Sequence, residues 1–101
     1  MTIAVFGTVR FPPDRVASLK PHLQALVQAT RAHDGCIAYD VGEDPFDPGL
    51  FRFSELWPDA GSLERHMQAD HIAPWRAASR EHGLMERRFQ VYDASNPRPL
   101  R

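Results

Sequence analysis

Cysteine is almost absent: Cys36 is the single one in 101 residues. One cysteine closes no internal disulfide, and without a Cys-x-x-Cys pair no zinc knuckle or redox couple is available. Reduced thiols and a cytoplasmic setting are the simplest expectation. Charge of one sign is also lacking. The formal net charge is −1 and the sequence pI about 6.5, which speaks against nucleic acid as a partner, because neutralising phosphates needs a basic surplus. No apolar run approaches the ~18–20 residues of a membrane span, so no membrane partner is expected. The opening stretch TIAVFGTVRF has no basic n-region and no cleavage motif, and is expected to belong to the fold. Repeats and biased tracts are missing; the 9 prolines and 6 glycines act as punctuation.

What is present fits one small soluble domain. The hydrophobic share is 43% and the charged share 25%, ordinary for a globular chain. This length supports one core, here assigned to residues 1–94 with a tail over 95–101. Ile3, Val5, Gly7, Val9 and Phe11 alternate along a first strand, with Ala4, Phe6, Thr8 and Arg10 on its other face. Pro12-Pro13 ends that strand and opens a helix from Asp14 to about His33, apolar at Val16, Leu19, Leu23, Leu26, Val27 and Thr30. Pro21 either kinks this helix or lies in the first turn of one beginning near Ser18. Asp34-Gly35 stops it. Cys36–Glu43 and Leu50–Trp57 read as an antiparallel hairpin around the turn-rich EDPFDPG. Pro58-Asp59 introduces a second helix with Leu63, His66 and Met67 on one side; Asp70 is expected to cap a further segment closed by His82-Gly83. Glu86–Asp93 is a last strand.

The order β-α-β-β-α-(α)-β predicts an α+β, ferredoxin-like fold: a four-stranded antiparallel sheet with helices on one face. Large apolar groups occur on both faces of the first and third strands, and the chain has no further layer to cover the second face. A homodimer through the open sheet face is therefore expected.

The segment FSELWPDAGSLERHMQADHIAPW resembles the core E-x-W … L-x-x-H-x-x-[ST]-x-H of the antibiotic biosynthesis monooxygenase (ABM) family, which includes quinol monooxygenases. Glu55, Trp57, Leu63, His66 and His71 fall on its marked positions. DGCIAYDV resembles the family's E-x-G-C-x-x-Y strand. The likeness covers residues 2–93. It implies a dimeric α+β barrel with a pocket between each sheet and its own helices. It also implies oxidation of a hydroquinone-like aromatic by O2 with no metal, flavin or other cofactor. One oxygenase branch has asparagine four residues before the strand tryptophan, where this chain has Phe53. The haem-degrading branch pairs a first-strand asparagine with a helix histidine; here the first strand has no asparagine, and Trp75 stands near the histidine position.

His66, Glu55 and His71 are the candidate catalytic groups. A carboxylate on a strand face between aromatics has its proton affinity raised by desolvation, and imidazole is poised for base work near neutral pH. Plainer readings stand beside these. Glu55 could lie at the sheet edge, bonded to a helix, Arg87 or Arg88; each histidine could bond a backbone carbonyl. His66 and His71, five apart, do not share a helix face, so no metal is assigned. Trp57, Phe53, Tyr39, Phe6, Ile72 and Trp75 are candidate walls for a small aromatic substrate, and equally candidates for ordinary core. Cys36 reads as a small buried hydrophobe, His22, His33 and His82 as solvated helix positions, and Arg87–Arg88 as ion-paired. The alternative to an oxygenase is a non-catalytic dimeric module binding a small ligand or a protein. A cavity of ~300 Å3 or more, with His66 or Glu55 in its wall, discriminates for the enzyme.

Overall fold

The computed structural model describes all residues 1–101. Strand β1 (Thr2–Arg10) is followed by a 3-10 turn (Pro13–Arg15) and helix α1 (Val16–His33); then come β2 (Ala38–Glu43), β3 (Leu50–Trp57), α2 (Ala60–Met67), α3 (Ile72–Glu81) and β4 (Glu86–Ala94). The four strands form one antiparallel sheet in the order β2-β3-β1-β4. The α+β order inferred from sequence is the order observed.

Register decides what each face carries. Val5 pairs with Glu55 and Val91, Gly7 with Phe53 and Phe89, and Ile3 with Trp57. Paired side chains share a face, so these groups lie together under the helices. The core joins Ile3, Val5, Val9, Phe51, Phe53 and Trp57 to Leu19, Leu23 and Leu26 of α1. Gly7 is glycine for a reason of space. A Cβ there would collide with the ring of Phe89, which also meets Phe53 edge to face at 5.3 Å between centroids.

Local signals explain the helices. Pro21 sits inside α1 at an exposed position, where the carbonyl that loses its intrahelical partner can be served by water. Asp34 is the C-cap of α1, and Gly35 takes the left-handed backbone (φ 73°) that releases the chain. Asp59 caps α2 through a capping box: its Oδ1 accepts from Ser62 N at 2.7 Å, and Ser62 Oγ accepts from Asp59 N at 3.4 Å. Asp70 caps nothing. The N-cap of α3 is His71, and no side chain serves it. His82 is half-buried rather than solvated, its Nδ1 bonded to Ala78 O at 2.8 Å. No helix is long and apolar enough to cross a membrane.

The open face is less apolar than the sequence implied. Phe6 (53% exposed) and Tyr92 (50%) meet edge to face at 5.9 Å, with Ala4 and Leu56 in the same rows. The opposite end carries ion pairs, Arg10 with Asp47 and Arg52 with Asp44, each at 2.9 Å.

Candidate functional site

A part-open cavity of about 610 Å3 lies between the sheet and helices α2 and α3. Strand parity supplies its floor: Val5 and Val9 from β1, Tyr39 from β2, Phe53 and Glu55 from β3, Phe89 from β4. Ile72 and Trp75 of α3 and His66 of α2 form the roof. The space is of the size expected of a small-molecule site, and both Glu55 and His66 stand in its wall.

Glu55 occupies an interior strand, not a sheet edge, and is 5% exposed. Its Oε1 accepts from Trp57 Nε1 at 2.9 Å, two residues along the same face. Burial pushes its proton affinity above the usual carboxylate range, opposed by the Trp57 bond and by the charge of Arg87. Trp57 is fully buried and does not line the cavity. It stacks on His66 with 4.7 Å between ring centroids, so it acts as a backing plate that holds both groups.

His66 is bound from behind. Its Nδ1 lies 2.7 Å from Asp34 Oδ2, and His71 Nε2 lies 2.7 Å from the same oxygen. The spacing of five residues, discouraging on one continuous helix, is bridged because the helix breaks after Met67 and restarts at Ile72. Burial lowers the proton affinity of His66, with Asp34 pulling the other way. Neutral His66 donating from Nδ1 presents Nε2 as an acceptor.

Three unclaimed polar atoms belong to buried residues of the wall. Glu55 Oε2, Tyr39 Oη and His66 Nε2 have no protein partner, yet Thr30 Oγ1 is the one sealed-off side-chain atom without a hydrogen bond. The other three are therefore not sealed off, and their residues line the cavity. Burial, with the charge of Glu55 second, raises the Tyr39 phenol far above its usual range, so that hydroxyl remains a donor.

Of the candidates drawn from sequence, Glu55, His66, Tyr39, Phe53, Ile72 and Trp75 converge on this cavity. His71 sits outside the wall and reaches it through Asp34. Phe6 is a correction: it lies on the opposite face, half exposed, because the parity that sends Val5 and Gly7 under the helices sends Phe6 outward. Asp34 and Phe89 were missed. A carboxylate at a helix C-terminus opposes the helix dipole, and that misfit is the sequence signal that Asp34 has other work.

Asp34, His66 and His71 offer donor atoms within 4.8 Å of one another, a set suited to a divalent transition metal. Both imidazole nitrogens are here directed at one carboxylate oxygen, so an ion there would take the place of the bridging protons.

A family model described as antibiotic biosynthesis monooxygenase matches residues 2–78. Rv0793 of Mycobacterium tuberculosis is 32% identical over 75 residues, covering 74% of this chain and 73% of the relative. YcnE of Bacillus subtilis is 25% identical over 79 residues, covering 78% and 83%. Both carry monooxygenase in their names. A crystal structure from Deinococcus radiodurans superposes with a TM-score of 0.88 at 28% identity, covering 100% of this chain and 99% of that one.

Proposed function

The chain belongs to the antibiotic biosynthesis monooxygenase family, and from that premise we propose that it oxidises a small, electron-rich aromatic of the hydroquinone type with O2 in the cavity above the sheet. The observation that carries this reading is the set of unclaimed polar atoms on buried Glu55, Tyr39 and His66, set among the apolar side chains of the wall. The substrate ring lies against Phe53, Phe89 and Trp75, with the polar atoms available to its oxygens.

In the proposed course His66 Nε2 removes a phenolic proton. Asp34 holds the imidazole in the tautomer that can do so, and His71 steadies Asp34; both are positioning residues. Glu55 Oε2 is the second acceptor, and the Tyr39 hydroxyl donates to the substrate oxygen. The phenolate passes one electron to O2, and the semiquinone and superoxide recombine as a ring hydroperoxide. Loss of water then leaves a hydroxylated quinone, so hydroquinone and O2 balance against hydroxyquinone and water. An apolar surround keeps the anion poorly solvated and the radicals unquenched. No metal or organic cofactor enters this route.

A second copy of the chain is proposed to cover the open face where Phe6, Tyr92 and Leu56 cluster. The decisive measurement is oxygen uptake by metal-free protein with a hydroquinone panel. Uptake above background that falls at least about a hundredfold in His66→Gln supports the reading. Uptake no greater than the uncatalysed rate, for wild type and variant alike, removes it and leaves a binding module.

A further inference from the structure

The cavity has a second chemical character at its mouth. Arg76 and Arg80, one helical turn apart on α3, and Arg87 on β4 all line it. Elsewhere four arginines are matched with acids, Arg10 with Asp47, Arg31 with Asp40, Arg52 with Asp44 and Arg88 with Glu86, while Arg15, Arg65, Arg98 and Arg101 are not. The three at the cavity have no carboxylate within ion-pair distance. Arg76 donates to Met67 O at 3.3 Å, Arg87 lies 4.6 Å above the ring of Phe89, and Arg80 has no partner. Ion pairing, the reading the sequence allowed for Arg87, does not hold. The acids of the wall are Glu64, whose Oε1 accepts from Gln68 Nε2 at 2.9 Å, and Glu55, whose Oε1 accepts from Trp57. What sets Arg76, Arg80 and Arg87 apart is that three guanidiniums without an acid partner gather in the wall of one cavity, in a chain of net charge −1.

We propose that the ligand of this cavity is an aromatic oxyanion: a phenolic ring seated among Phe53, Phe89 and Trp75, bearing a carboxylate or phosphate held at the mouth by Arg76, Arg80 and Arg87. The proposal rests on the reading of the cavity as a substrate site and narrows its substrate class. A guanidinium offers paired donors that match an oxyanion. Arg87, stacked on Phe89, ties the anion's position to that of the ring. The contacts are solvent-facing, so their effect is salt-sensitive.

The test compares three probes of similar ring: gentisate, gentisyl alcohol and hydroquinone monophosphate. Binding is followed by calorimetry at low and high salt, for wild type and for Arg80→Gln/Arg87→Gln, whose changes are at the surface and whose folding is checked by circular dichroism. The expected result is that an anionic probe binds at least about tenfold tighter than the alcohol at low salt, that salt erodes the difference, and that the double variant removes it. The tighter of gentisate and the phosphate identifies the anion. If the alcohol binds as tightly as both anions, the inference fails while the substrate site stands. An advantage that survives in the double variant also overturns it. If none of the three binds, the substrate site itself fails, and this inference with it.

Discussion

Glu55 is held in a place that suits chemistry better than stability. Its proton affinity is raised by burial, so the folded chain binds a proton there more tightly than the unfolded chain does. The stability this group contributes is complete below about pH 4.5, its ordinary value, and is lost as pH rises through the higher folded one. Glu55→Gln keeps an acceptor for Trp57 and removes the buried charge. It should stabilise the fold at neutral pH by about 1 kcal/mol, a Tm rise of roughly 4–8 °C. Thermal melts should show that gain shrinking towards pH 4, and the variant should lose oxygen uptake. His66 has the opposite sign. Its lowered proton affinity means that the unfolded chain takes up the proton first as pH falls, so its contribution is present above pH 6.5 and lost below it. If His66 is the base, the acid limb of kcat/KM falls below pH 6.5. A pH–rate profile of wild type checks this, and a limb above that value would exclude His66.

At the scale of elements, Phe89 and Gly7 form a pair across β1 and β4 that sets one wall of the cavity. Gly7→Ala should displace the Phe89 ring, which is half-buried and can swing into the open space. A loss of ring-ligand affinity of about tenfold, with a fall in stability of about 1–3 kcal/mol, is the expected outcome in calorimetry and denaturant melts. Unchanged affinity would mean that Phe89 is not a wall. The element order was readable because strand and helix periods are local properties of the side chains, as in Ile3–Val9 and Leu19–Leu26. The convergence on Asp34 was not. Its bond to His66 spans 32 residues, and the turn that makes it possible, Gln68–His71, has no strong breaker. The faces of β3 were readable from alternation alone, which is why Glu55, Phe53 and Trp57 were grouped correctly. Whether Trp57 lined the space or sealed it depended on depth, which period does not encode. Phe6 lies outside the wall because alternation separates the two faces of β1 without saying which of them the helices cover.

For the whole molecule, the asymmetry between the two sheet faces is decisive. The helix face holds the core and the cavity, whereas the other presents Phe6, Tyr92 and Leu56 beside a field of ion pairs. If a second copy covers that patch, Phe6→Glu places a charge in the interface and leaves the helix-side core untouched. Light scattering should then report a monomer where wild type gives a dimer, with circular dichroism unchanged. Monomeric wild type would dismiss the assembly.

The break between α2 and α3 has a final consequence. Since His66 and His71 meet one oxygen across it, the stretch is constrained in count more than in kind. Deleting one residue would roll α3 by about 100° about its axis, carrying His71 off its bridge and turning Trp75 and the two α3 arginines away together. Drift in the identity of exposed Gln68 or Asp70 is tolerable to this architecture, whereas Ala69 packs on the core; an insertion or deletion among the three would dismantle the His66–Asp34–His71 bridge and scatter the α3 arginines in a single event.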